Sequence, residues 1–382
     1  MPRVGVVGAG WWAQGWHLPH LSRHPEVTIA AIIEPSRNIR STLNPQIEQL
    51  PALGEKYAAP TFDSLGAALE AGVEMDGVVI AASHSAHAEL GRLALSAGLH
   101  VFMEKPMTTD VAEAAALVSA VRQSGKLLMV NNTANWRAHT MHAFEWVRQR
   151  RIGAVRHVSC AMGSPLLWLF EDGANEGWVK PSGSMLGNGM GWGQLSHTLA
   201  WVLKVTGLQP ATVYAEMNYS STTGADLFDA AIIRCACGAL INVQGVGATA
   251  GDTPPTQTDQ RPSGKQIDNR IFGTEGFIQY SGLDHRSDSG ALLLRRHDGC
   301  NETIEGFEFE DGDQNGTGPA SLRAFIAGCA GESVWNGCDA ELGFQVVATI
   351  EAMYRSVAEG RRVDVQLYDS DGQAPAAKRP KA

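Results

Sequence analysis

The sequence predicts a doubly wound parallel α/β domain followed by an α+β domain with a mostly antiparallel sheet, on three observations. The chain has 382 residues, more than one hydrophobic core usually serves. Strand-like apolar runs alternate with helical patterns through its first third. Beyond about residue 125 the strand-like runs follow one another without regular helices between them.

The early runs are Val4 to Val7, Val27 to Ile33, Gly77 to Ala81, His100 to Met103 and Lys126 to Val130. Fully apolar strands such as Val78-Val79-Ile80 suit a parallel sheet covered on both faces, and Ala86 to Ala97 carries apolar residues at helical spacing. The later runs are Val155 to Ala161, Ala211 to Tyr219, Asp229 to Cys237, Ala239 to Val246, Gly276 to Tyr280 and Ala291 to Arg295, with helices expected at Asn135 to Arg150 and Glu341 to Glu359. The expected division is 1–125, 126–368 and a polar tail at 369–382. That tail and the Pro, Thr, Asp and Gln-rich segment 251–264 are expected to be mobile.

Composition narrows the function classes. A hydrophobic content of 44% with 18% charged residues is that of a globular protein. A formal charge of -10 supplies no basic field for a nucleic acid, so a small partner is expected. No apolar run reaches membrane-spanning length, and the early strand argues against a signal peptide. Six scattered cysteines without a CxxC fit thiols in a reducing cytoplasm, and Cys235 and Cys237, expected on one strand face, read as core thiols.

The segment Val7-Gly8-Ala9-Gly10-Trp11-Trp12-Ala13 places GxGxxA between a strand and a helical pattern. Gly8 permits a tight turn, Gly10 lets the backbone approach a pyrophosphate, and Ala13 allows close helix packing; Trp11 and Trp12 flank the cofactor. Glu34, at the tip of the next strand, suits an adenosine ribose and favours NAD. Ser36, Arg37 and Arg40 leave NADP open, because they can hold a 2'-phosphate or simply form a solvated face. Ser83, His84 and His87 follow the Gly77 strand at the expected nicotinamide edge, with His87 also placed to cap a helix.

Met103-Glu104-Lys105-Pro106 ends a later strand of the sheet, and this Glu-Lys-Pro after GxGxxA resembles the Gfo/Idh/MocA oxidoreductases. The resemblance extends through Ala88 to Pro106, Ile152-Gly153, Gly273 to Gly276 and Ala352 to Arg362, and so covers nearly the whole chain. It implies a Rossmann domain followed by an α+β domain whose large open sheet supports homo-oligomers, a dimer or tetramer. Glu104 and Lys105 then border the cofactor, and Lys105 bonds the reacting hydroxyl. His197 matches the family histidine at a helix start, where an imidazole titrating near neutrality serves as general base. The family's aspartates beside this histidine are replaced by Gly193 and Ala200, which leaves Lys105 and His197 as the catalytic pair. The glycines before His197 are expected to let substrate approach the backbone.

Asn132, Asn135, Trp178, Trp192 and Gln194, with Lys105 and His197, form the expected substrate site, and Trp168, Phe170 and Lys180 stand near it. Aromatic faces beside amides suit a polyhydroxylated ligand. The sequence therefore predicts an NAD(P)-dependent oxidoreductase acting on a secondary alcohol of a sugar, glycoside or cyclitol, with no metal. The competing readings are a glycosidase-like enzyme that oxidises transiently on tightly bound NAD, and a non-catalytic dinucleotide sensor.

Overall fold

The computed structural model describes residues 1–44, 46–175, 179–251, 264–284, 286–309 and 318–367. Trp178, most of the 251–264 segment and the 369–382 tail lie outside the described residues.

The apolar runs of the first third become β1 (Arg3–Val7), β2 (Thr28–Ile33), β4 (Gly77–Ile80), β5 (His100–Met103) and β6 (Leu128–Val130), joined by the short β3 (Thr61–Phe62). All pair in parallel in the order β3-β2-β1-β4-β5-β6, which is the Rossmann order. Val78, Val79 and Ile80 are fully buried, as a strand covered on both faces requires. This order sets the tips of β1 and β4 side by side, and ligands bind such sheets at the carboxyl ends of their strands.

Nine strands form the second sheet, in the order β14-β13-β12-β11-β7-β10-β9-β8-β15. They are β7 (Val155–Gly163), β8 (Pro210–Tyr219), β9 (Asp226–Cys235), β10 (Leu240–Val246), β11 (Gln266–Gly273), β12 (Gly276–Leu283), β13 (Gly290–Arg296), β14 (Glu302–Phe307) and β15 (Val363–Asp364). Only the β7–β10 pairing is parallel. One face is covered by helices that include Ser196–Thr206 and Ala340–Glu359. The other face carries the exposed Tyr214, Phe228 and Ile232.

Several expectations change. β9 ends at Cys235 and the chain turns, so Cys235 is buried while Cys237 is exposed; they do not share a strand face and only one is a core thiol. The expected Asn135 to Arg150 helix begins at Ala138, behind a tight turn at Thr133–Trp136 that buries Asn135. β11, unread in the sequence, pairs with β7 and β12. Helix Ala320–Cys329, also unread, returns to the first domain and sets Phe325 against Phe102, ring centroids 5.4 Å apart.

Candidate active site

The site forms at the carboxyl ends of β1, β4 and β5. Gly8 has φ of 91°, and a Cβ there would lie 2.6 Å from the Ala82 nitrogen, so the turn requires glycine. Gly10 is different: a Cβ would meet nothing within 4 Å, so the space above its backbone is open. Ala13 is fully buried where the following helical turns press on the sheet. The Glu34 carboxylate accepts the Ala9 N–H at 2.8 Å and the Ser36 N–H at 2.9 Å, which puts an acid against the glycine turn. Arg37 and Arg40 are exposed. An open backbone cradle with an acid beside it fits a dinucleotide.

Trp12 leaves this turn toward β5. Its ring stacks on Trp16 with centroids 5.4 Å apart and lies 5.3 Å from Trp11, and its Nε1 donates to Glu104 Oε1 at 2.8 Å. That oxygen also accepts from His17 Nε2 and Asn131 Nδ2, each at 2.8 Å. Burial by itself would raise the Glu104 pKa, but the bonds from His17 and Asn131 and the charge of Lys105 hold it at about 2. The expected cofactor contact is therefore corrected: the Glu104 side chain is an internal bracket, held by Trp12 and His17 of the turn after β1 and by Asn131 beyond β6.

Lys105 follows, with a cis peptide to Pro106. The Pro106 carbonyl meets His87 Nδ1 at 2.9 Å, and His87 Nε2 lies 3.2 Å from the Ala82 carbonyl. His87 opens helix His87–Ser96 and is fully buried, so it ties two loops together rather than facing a cofactor. Ser83 is exposed at the same edge. The His84 ring lies 5.7 Å from that of His87, and its pKa is pressed down to about 3 by burial and by the charges of His87 and Lys105. Lys105 Nζ donates to the Gly193 carbonyl at 2.8 Å. Burial lowers its pKa to about 8 against the opposing pull of Glu104, with Lys265 adding to the lowering.

Gly193 belongs to a turn, Gly191–Leu195, that winds into helix Ser196–Thr206 and places His197 one turn further on. Gln194 and His197 are partly buried there. The imidazole does not titrate near neutrality as expected, because burial and then the charges of Lys105 and Lys265 hold its pKa well below the usual histidine value. His197 is thus a neutral ring in a positive field.

The structure turns other expected substrate residues inward. Asn135 donates to the carbonyls of Ala200 and Gly337, at 3.1 and 3.0 Å. Asn132 is buried with Nδ2 against Cys338 Sγ, and Trp192 is buried and stacked on Tyr354. Phe170 approaches Gly193, and a Cβ on that glycine would lie 3.8 Å from Phe170 Cζ. Trp168 is partly buried, and its carbonyl accepts from Asn175 Nδ2 at 3.1 Å; Lys180 is exposed. The loop beyond β2 meets this segment where Thr42 Oγ1 donates to Asn175 Oδ1 at 2.9 Å.

Sequence reasoning missed Lys265. Ile267, Asn269 and Ile271 of β11 face inward, and the strand period of two carries Lys265 to that same side. Ile267 pairs with Met162, whose sulfur meets Thr198 Oγ1 beside His197. Alternation at 267, 269 and 271 was the available signal.

Residues 2–132 match the oxidoreductase family model described as an NAD-binding Rossmann fold, and residues 140–279 match the GFO/IDH/MocA C-terminal domain. The chain belongs to the GFO/IDH/MocA oxidoreductase family. It is 29% identical over 207 residues to a putative UDP-kanosamine synthase oxidoreductase subunit of Amycolatopsis mediterranei, covering 53% of this chain and 51% of that protein. It is 26% identical to D-xylose 1-dehydrogenase (NADP(+)) 2 of Haloferax volcanii, covering 82% of this chain and 88% of the relative. The chain spans about half the length of the first curated relatives it matches. A putative dehydrogenase from Bordetella bronchiseptica superposes with a TM-score of 0.70 at 20% identity, over 95% of this chain and 99% of that one. Among the described residues no helix is long and apolar enough to cross a membrane, and no cluster of three or more His, Cys, Asp or Glu side chains is arranged for a metal.

Proposed function

We propose that this protein is an NAD-dependent oxidoreductase that interconverts a secondary alcohol of a sugar, glycoside or cyclitol with its ketone. The observation that carries the reading is Lys105, held on the Gly193 carbonyl one turn before His197, at the carboxyl edge of a sheet whose Gly10 faces open space. The Gly8–Ala13 turn and Glu34 would hold the dinucleotide, whose nicotinamide, when bound, takes up or releases the hydride of the carbinol carbon.

The protein's own residues manage the proton. With a pKa of about 8, Lys105 exists near neutrality as both amine and ammonium. As amine it removes the hydroxyl proton during oxidation, and as ammonium it returns that proton to the carbonyl oxygen during reduction. His197, held neutral, donates its ring N–H to the oxygen of the same hydroxyl and orients it. The proton role thus passes from the histidine to the lysine.

A carboxylate at Glu34 supports NAD over NADP, since it would repel a 2'-phosphate. The sugar-directed names of the relatives from Amycolatopsis and Haloferax support a polyhydroxylated substrate. A second copy of the chain on the open sheet face would cover Tyr214, Phe228 and Ile232. Six free thiols suit a cytoplasmic setting.

Incubating the protein with NAD and a panel of sugars, glycosides and cyclitols, and following the reduced-nicotinamide absorbance, tests the proposal. Net reduction by at least one member is expected. Binding of NAD with no net reduction across the panel would overturn it.

A further inference from the structure

We propose that Asp226 and Tyr354 are positioning residues for this reaction, locking the Gly189–Gly193 turn so that the Gly193 carbonyl meets Lys105 and His197 faces the same site. The inference rests on the proposed oxidoreductase reading, but its geometry stands independently.

Glycine recurs at every second position in Gly187-Asn188-Gly189-Met190-Gly191-Trp192-Gly193. Access for substrate explains only the last of them. A Cβ on Gly187 would run into the Tyr354 ring, one on Gly189 into the Asp226 backbone and carboxylate, and one on Gly191 would lie 2.8 Å from the Tyr354 hydroxyl. Three glycines therefore make room for two side chains, and the fourth turns toward Phe170 and the cleft.

The two side chains complete the lock. Asp226 is fully buried at the start of β9; its Oδ2 accepts the Gly191 N–H at 2.7 Å and its Oδ1 accepts the Tyr354 hydroxyl at 2.6 Å. The Gly191 N–H belongs to the exposed-donor end of the helical run that continues to Thr206, where a carboxylate is favourable. The Tyr354 ring stacks on Trp192 at 6.0 Å and 13°, and the Trp192 carbonyl accepts the Ser196 hydroxyl at 2.8 Å. Tyr354 lies on helix Ala340–Glu359, which packs on β8 and also on helix Val111–Ser124 of the first domain. The turn that meets Lys105 is thus pinned to both the sheet and the interdomain helix.

Asp229 stands three residues further along β9. It is buried, and burial, followed by the charge of Asp226 and a hydrogen bond to that carboxylate, lifts its pKa to about 9. A neutral Asp229 places no second negative charge beside the lock.

Full-length Tyr354→Phe, Asp226→Asn and Asp226→Ala test the proposal through the pH dependence of Lys105 acetylation by acetic anhydride, read by mass spectrometry. This readout needs no substrate, so failure of the redox reading and failure of the lock are distinguishable. In the native protein the labelling midpoint should fall near 8. Asp226→Ala should release the Gly193 carbonyl, admit water to the ammonium and raise the midpoint by about one unit. Asp226→Asn, which keeps an acceptor for the Gly191 N–H, should give a smaller shift. Turnover should fall about tenfold with little change in KM for NAD. Tyr354→Phe retains the ring stack and decides the matter if Asp226→Ala does not fold. A folded Asp226→Ala or Tyr354→Phe protein with the native Lys105 labelling profile overturns the proposal.

Discussion

Lys105 should dominate the pH dependence of the reaction. Its pKa falls from an ordinary 10.5 to about 8, a difference of 2.5 units, mainly because burial penalises the ammonium. At pH 7 about a tenth of the side chain is then free amine, roughly 300-fold more than an unperturbed lysine would supply. The sign follows from the role. Oxidation needs the amine, so its rate should climb as pH rises toward about 8 and level off above it, whereas ketone reduction needs the ammonium and should hold below about 8 and decline above it. His197 should add no limb near its ordinary 6.5, because it stays neutral there. The assay is kcat/KM against pH in both directions for the native protein, Lys105→Met and His197→Ala. Lys105→Met should lose about 10²- to 10⁴-fold and the limb near 8 with it. His197→Ala should keep the limb on a lower plateau. A limb near 6.5 that vanishes in His197→Ala would refute the reasoning and restore the histidine as proton carrier.

Gly10→Leu should leave the melting temperature nearly unchanged, since nothing lies within 4 Å of the new Cβ, yet weaken NADH binding by about 100-fold in a fluorescence titration. Glu34→Gln keeps an acceptor for the Ala9 N–H and removes the charge, so calorimetry should show NADP binding gaining about tenfold with NAD little altered. Glu104→Ala strands three buried donors and should cost about 3 kcal/mol or more, read from the denaturant midpoint. Because the folded Glu104 pKa of about 2 lies below its ordinary 4.5, its contribution is complete above about pH 4.5 and lost as pH falls through 2, and native protein should show that acid limb while Glu104→Ala should not.

The parts of the fold that were legible in the sequence are those whose side chains all face one kind of environment. β1, β4 and β5 read as strands because both of their faces are buried. β11 was missed because Asp268 and Arg270 alternate with inward Ile267, Asn269 and Ile271, so half of a central strand looks like loop. The site divides in the same way. Lys105, His197 and the glycine turn were read from local motif, since their positions depend on neighbouring residues. The internal bonding of Glu104 was not, because its partners, Trp12 and His17 on one turn and Asn131 beyond β6, come from distant segments that only the fold assembles. The titration of His197 was likewise hidden, as it depends on Lys105 and Lys265 from distant segments. The alternating glycines were visible, but their reason is Tyr354 and Asp226, far along the chain.

The central claim is net hydride transfer at a site where Lys105 carries the proton. The direct measurement is to mix the purified protein with NAD and the best-bound member of the sugar and cyclitol panel, then record nicotinamide absorbance and substrate conversion together, for native protein and Lys105→Met. Reduced cofactor should accumulate mole for mole with ketone in the native protein and slow by about 10²-fold or more in the variant. Substrate consumed without any gain in reduced nicotinamide, or equal rates in the two proteins, would contradict the account.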